Sequence, residues 1–498
     1  MATWEAVTAS GTERLHVAAA ARVGAGTAIT WVAWIAARAL ALVTLILLAR
    51  TLPDDDLGAV LASIAAGLLG ATLATGGLPD ATARSAASPT EAGRFGRGDL
   101  WDAFMRFGAT LPFVIVLLVL ISDGSEGLDW GLLTASVLLA LTQGGTVILA
   151  AVFRARGQAG RFALVTGLVV AIGRTVVAGL AFGLDLGADF VLWGFVVLNA
   201  GLIAATWGAT TRDLPASHSH EEGATALHLG GAVWALLAHL DIVVVGVVLG
   251  ADAAGVYGAT LRLAEFSYQF VIAISVLYLP EAVKLIAAGE RSALVSLYRT
   301  SSRWSLLVSL LVAGAGFVGA PWLAELLFPD DAEISTRILR ILFVAYAVYG
   351  ALGLGYLTSV AVGSFREIQR SAMVALPAIV AATVIAAELW GLTGAACATA
   401  SGYILFNAWW LWITKEDTLG ATPFDHRYGR ALLASVVALL GAGAVALVLD
   451  DAPPLVALPA IAIVASGVWV AAIAVTGALS PPEVRRIKRL LPGGSAAP

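Results

Sequence analysis

The sequence predicts an all-α integral membrane protein with fourteen transmembrane helices. Three observations carry that expectation. The 498 residues are 59% hydrophobic and only 13% charged, with a mean hydropathy of +0.89, whereas a soluble domain carries about 25% charged residues. The apolar residues fall in repeated runs of about 20, the length that crosses a hydrocarbon core of about 30 Å. The basic residues between those runs alternate in density from one side to the other, as the positive-inside rule requires.

The runs place spans near 27–49, 57–79, 103–122, 130–152, 162–184, 188–209, 229–250, 256–279, 304–328, 338–362, 370–387, 393–414, 431–449 and 455–477. Within lipid each must be helical, because only a helix satisfies its own backbone polar groups. Of the 29 basic residues, only Arg50, Arg337 and Arg340 fall on one side, and Arg38, Arg174 and Arg262 fall within spans. All the others lie on the opposite side, which is thereby read as cytoplasmic, with both termini there. A miscounted span would scramble this alternation from the error onward, and it holds to the C-terminus. Residues 1–22 are mixed polar, and no small-residue cleavage site follows the first run, so no signal peptide is expected. Trp101, Trp130, Trp207, Trp304, Trp322 and Trp390 fall near span ends, where indoles favour the interface.

Composition also excludes functions. A net charge of −5 gives no basis for nucleic-acid binding. Cys397 is the sole cysteine, so neither an intramolecular disulfide nor a cysteine metal cluster is expected, and no cofactor is called for. The preference for arginine over lysine, with abundant Ala and Gly, suggests a GC-rich bacterial genome, and the expected location of the helical chain is the bacterial inner membrane.

A weak internal repeat organises the spans. Leu52, Asp55 and Gly58, where span 1 exits, align at one constant offset with Leu249, Asp252 and Gly255, where span 7 exits. Six spans separate the copies, and an even number preserves orientation, so the halves are parallel repeats. The segments are 1–222 (spans 1–6), 223–420 (spans 7–12), 421–477 (spans 13–14) and a basic tail, 478–498.

The stretch Leu48-Ala-Arg-Thr-Leu-Pro-Asp-Asp-Asp-Leu-Gly58 resembles the first-loop pattern of Wzx-like polysaccharide flippases, of the multidrug/oligosaccharidyl-lipid/polysaccharide exporter superfamily. The run Leu240-Asp-Ile-Val-Val-Val-Gly-Val-Val-Leu-Gly-Ala-Asp-Ala-Ala-Gly-Val-Tyr-Gly-Ala-Thr-Leu-Arg-Leu-Ala-Glu265 is similar to their span 7–8 signature. The similarity covers spans 1–12; Pro53-Asp54 stands where the family often has Gly-Pro. The resemblance implies two six-helix lobes around a central cavity, and alternating access for a polyprenyl-diphosphate-linked oligosaccharide. Membrane lipids are further partners, and polysaccharide-assembly proteins are candidates.

Five charges lie within spans: Arg38, Arg174, Asp241, Arg262 and Glu265. Each costs roughly 2.5–3.5 kcal/mol at the bilayer centre if it faces lipid. They are therefore expected to face one another or a wet cavity. Arg38, Arg174 and Asp241 lie near mid-span, so Arg38 and Asp241, on repeat-related spans, can face across the cavity. Arg262, Glu265 and Gln269 form one stripe of span 8. Arginine forks match diphosphate oxygens, which makes Arg38, Arg174, Arg262 and Gln269 the candidate substrate-binding residues. Asp241 and Glu265 are the candidate coupling sites, because a carboxylate in a dry site can carry a proton. His239, two residues from Asp241, points to a different face and reads as a packing residue. Gln143, Asn199 and Asn407 can bind sugar hydroxyls or join helix to helix.

Residues 281–303 read as an amphipathic connector between lobe helices, and the tail cations Arg485, Arg486, Lys488 and Arg489 suit anionic headgroups. Two other functions fit less well. A cation exporter of the same superfamily would favour an acid in span 1, which has none. A membrane polymerase or ligase needs a large outer loop with reactive groups, and the outer loops here are short. No catalytic residue is expected.

Overall fold

A computed structural model describes residues 32–48, 50–75, 96–122, 130–155, 158–212 and 224–480, with isolated positions beside them. Arg14, Arg22, Arg94, Arg156 and the tail cations from Arg485 onward lie outside the described residues. All fourteen expected spans have a helical counterpart. Spans 1–6 are Val32–Leu48, Asp54–Thr75, Arg97–Ser122, Trp130–Ala155, Gly160–Leu184 and Ala188–Thr211. Span 7 is Ala224–Leu249, and span 8 runs through Ala251–Ala264 to Gln269–Ala287. Span 9 is Arg291–Leu327, and span 10 joins Ala332–Leu352 to Leu354–Val362. Spans 13 and 14 are His426–Val448 and Pro454–Thr476.

Spans 11 and 12 form one helical path, Phe365–Ile413, broken at Gly391 with φ 57° and ψ −142°. Only glycine adopts that conformation without strain. Gly394 sits just beyond it, and a Cβ there would collide with the Ala386 carbonyl.

The repeat appears in the helices themselves. Spans 2 and 8 start at Asp54 and Ala251, equivalent places in the two copies. The expected connector at 281–303 is absorbed into helix ends, turning only at Ala288–Glu290, so span 9 is longer than its apolar run. Val283, Leu294 and Leu297 are buried while Lys284 and Arg291 are exposed.

In the first lobe span 2 packs on spans 3 and 4, and span 6 packs on spans 4 and 5. In the second, the 11–12 path packs on spans 7 and 10, and span 10 packs on span 9. Span 2 runs along spans 7 and 8 and joins the lobes, while spans 13 and 14 lean on span 9. The lobes are filled differently. The second is packed by aromatics, with Trp234 ring centroids 5.0 Å from Tyr349, 5.3 Å from Phe406 and 6.0 Å from Tyr356. The first has two smaller separate clusters, one around Leu139 and Phe195 and one around Phe107 and Ile148. Unfilled space is left on its side of the lobe junction.

The tryptophans divide into two sets. Trp101, Trp207 and Trp390 are exposed, as interfacial indoles are. Trp322 instead donates to the Ala452 carbonyl at 3.1 Å, and Trp304 to Glu483 at 2.7 Å, tying spans 13–14 and the start of the tail to span 9.

Candidate substrate cavity

The unfilled space is a cavity of about 420 Å³ walled by spans 1, 2, 4, 5 and 6 of the first lobe and by spans 7 and 8 of the second. Its lining includes Arg38, Arg174 and Arg262 and, among the described residues, no carboxylate. The rest of the wall is mostly apolar, with Leu42, Leu45, Ile64, Leu68 and Phe266 among its residues.

Two of the arginines meet behind the wall on one acid. Arg38 of span 1 donates to Glu265 at 2.6 Å, and Arg262 of span 8 donates to its other oxygen at 2.9 Å. Glu265 is 1% exposed, while Arg38 and Arg262 are 23% and 27% exposed. The carboxylate is thus submerged and the guanidinium groups stay at the cavity surface. This ion triad crosses the lobe boundary. It is also where an expectation gives way: Arg38 pairs with Glu265 and not with Asp241.

The reason is azimuth: Asp241 faces its partners Tyr257 and Thr399 in the second lobe. A second expectation gives way in span 8. Residues Glu265–Tyr268 tighten into a 3-10 turn, which advances about 120° per residue in place of about 100°. The single stripe expected for Arg262, Glu265 and Gln269 is therefore broken. Arg262 and Glu265 still meet at i, i+3, but Gln269 turns into the lobe, buried, and donates to the Glu265 carbonyl at 3.0 Å. Gln269 is not part of the lining.

Arg174 stands apart from the triad. It donates to Gln143 at 3.1 Å and lies over the Phe195 ring at 5.2 Å. One turn earlier, Leu164–Val169 widens into a π segment, a local feature found often at functional sites. Thr166 and Gly167 from that segment line the cavity.

Asp241 points the other way, into the second lobe, at 1% exposure. Tyr257 and Thr399 donate to one oxygen at 2.9 and 2.8 Å, and the Ile242 N–H donates to the other at 2.9 Å. All three partners are neutral. His239, two residues away and so about 200° around the helix, lines the cavity instead.

Gln143 and Asn199, offered from the sequence as partners for sugar hydroxyls, line the wall, and sequence reasoning missed two further polar wall residues, Trp34 and His239. Trp34 Nε1, Asn199 Oδ1, His239 Nδ1 and Arg174 Nε are buried, and each lacks a hydrogen-bond partner among the described residues. All four belong to residues of this one cavity. Buried polar groups are ordinarily paired, and these four are open to a polar ligand in the cavity. The signal for Trp34 was available, since it precedes Arg38 by one helical turn. Asn407 is different: its amide bonds the Tyr403 carbonyl at 2.8 Å, a span-stabilising contact away from the cavity.

No family model matches the sequence, and no curated protein is significantly similar to it. Solved structures are similar over most of the chain. A mutant of the Vibrio cholerae MATE transporter VcmN matches with a TM-score of 0.56 at 20% identity, covering 82% of this chain and 100% of the other. The lipid II flippase MurJ, in an inward-closed conformation, matches with 0.59 at 12% identity over 90% of this chain and 98% of the other. The MATE multidrug transporter DinF-BH matches with 0.59 at 14% identity over 79% and 95%. The chain is a multi-pass membrane protein with the fold shared by these transporters.

Proposed function

We propose that this chain moves a polyprenyl-diphosphate-linked oligosaccharide from the cytoplasmic to the outer leaflet of the bacterial inner membrane, by alternating access, for surface polysaccharide synthesis. The observation that carries this reading is a cavity at the lobe junction lined by three arginines and, among the described residues, no carboxylate. A diphosphate needs several cationic donors, and guanidinium forks supply them bidentately. The orphan polar atoms of Trp34, Asn199 and His239 suit sugar hydroxyls, and the apolar wall suits the first isoprene units. The fold shared with the lipid II flippase MurJ over 90% of the chain is compatible with this reading.

Within this reading Arg38, Arg174 and Arg262 bind the diphosphate. Glu265 holds two of them in place while the cavity is empty and yields them when phosphate competes. Asp241, ringed by neutral donors, is the coupling carboxylate. Export of small organic cations is the second reading, favoured by the shared MATE fold, but three fixed arginines on the wall oppose a cationic cargo.

Depletion of the protein in its native host tests the proposal. Lipid-linked saccharide should accumulate, inaccessible to an external glycan-modifying enzyme, while surface polymer declines. Unchanged polymer, with no accumulated precursor, contradicts it unless a second transporter substitutes.

A further inference from the structure

Arg337 and Arg340 break the basic-residue pattern: they lie at the end of the bundle that carries few cations, in the first turns of span 10. They line a second, separate groove of about 640 Å³ between spans 9 and 10, whose other residues include Pro321, Glu325, Glu333 and Ile341. Arg340 lies over the Phe317 ring at 5.6 Å and makes no ion pair or hydrogen bond among the described residues. Arg337 is bonded to Glu333 at 3.1 Å. Glu325 makes no ion pair or hydrogen bond among the described residues and is exposed. The groove thus offers one free guanidinium and one free carboxylate, with a neutral ion pair beside them. One helical turn beyond Arg340, the apolar side chain of Val344 continues the exposed face.

We propose that this groove binds a zwitterionic aminophospholipid, its phosphate on Arg340 and its primary ammonium on Glu325. The net charge of the four ionised lining groups is zero, which matches a zwitterion. Asp330 and Asp331, exposed in the turn between spans 9 and 10, oppose a purely anionic headgroup. A primary ammonium donates hydrogen bonds to a carboxylate, and a trimethylated one cannot. The site is independent of the cargo cavity, and its test does not depend on transport.

Native mass spectrometry of the delipidated protein with equimolar palmitoyl-oleoyl phosphatidylethanolamine, phosphatidylglycerol and phosphatidylcholine reads the preference directly. Phosphatidylethanolamine should be retained above both others by the wild type. Arg340→Ala should reduce that retention about tenfold, the loss of one charge-assisted contact. Glu325→Gln should abolish the preference over phosphatidylcholine. Equal or stronger retention of phosphatidylglycerol by the wild type overturns the proposal, without reliance on any variant. So does a preference that survives Glu325→Gln.

Discussion

At the residue scale the structure separates charges that the sequence could only gather together. Glu265 receives two arginines, one from each lobe, and Asp241 receives none. Removing the Glu265 carboxylate leaves two partly buried cations facing each other, and breaking such a pair costs about 3–5 kcal/mol. Glu265→Gln should therefore lower the melting temperature, and a double-mutant cycle with Arg38→Ala should show a coupling of about 1–3 kcal/mol. Additivity of the two changes would place the ion pair outside the native state. Arg174→Ala removes a cavity cation without breaking an ion pair. It should cut transport about 10- to 100-fold, as expected for a charge-assisted bond of about 1.5–3 kcal/mol, at unchanged protein level. Asp241→Asn keeps one acceptor oxygen for Tyr257 and Thr399 and loses only the bond from the Ile242 N–H, so it should fold with a modest loss of stability yet lose the dependence of transport on a proton or cation gradient. Transport with wild-type gradient dependence would assign Asp241 a structural role.

At the element scale, hydropathy and arginine placement made the spans legible, because lipid imposes one length and one backbone solution on each. What they could not reveal is helix phase. The 3-10 turn at Glu265–Tyr268 and the π segment at Leu164–Val169 conserve hydropathy while rotating everything beyond them. That is why Gln269 was expected on the cavity stripe and lies in the lobe interior. His239 is illegible for another reason: its two-residue spacing from Asp241 puts it on a different face of span 7, and the sequence does not reveal that this face meets the cavity. Arg38 and Asp241 sat at matched depths on repeat-related spans, but depth does not fix azimuth.

The clasp at the start of the tail gives an element-scale prediction. Glu483 accepts from Arg303 at 2.6 Å, from Trp304 at 2.7 Å and from the Ser480 N–H at 2.6 Å. Burial alone would raise its carboxyl, but Arg303 and the Ser480 bonds outweigh that and hold it below the usual carboxylate range. A depressed native pKa contributes stability that is full above the unfolded-state value of about 4.3 and is lost as pH falls through the native one. Glu483→Gln should lower the melting temperature at pH 7, and the gap to wild type should close on acidification below about pH 4. A constant gap at all pH values would contradict the ionic clasp.

At the scale of the whole molecule, the two lobes meet along span 2, and their contact at the basic end is close. A Cβ at Gly77 would overlap the Leu227 carbonyl, and Arg84 lies 4.9 Å over the Phe365 ring of span 11. The lobes are therefore shut against each other at that end. Gly77→Val should wedge it open, seen as a longer inter-lobe distance between spin labels at that end. An unchanged distance distribution would show that this contact does not hold the lobes together. The unequal filling of the lobes places the cavity off-centre, on the first lobe's side, with spans 7 and 8 as its far wall.

The central claim is that the arginine-lined cavity carries a diphosphate-linked saccharide across the bilayer. Reconstitution into proteoliposomes with a polyprenyl-diphosphate oligosaccharide confined to one leaflet measures this directly. The account predicts protein-dependent appearance of the saccharide in the opposite leaflet, lost in Arg174→Ala. Absence of that movement in vesicles that do extrude an organic cation would contradict it.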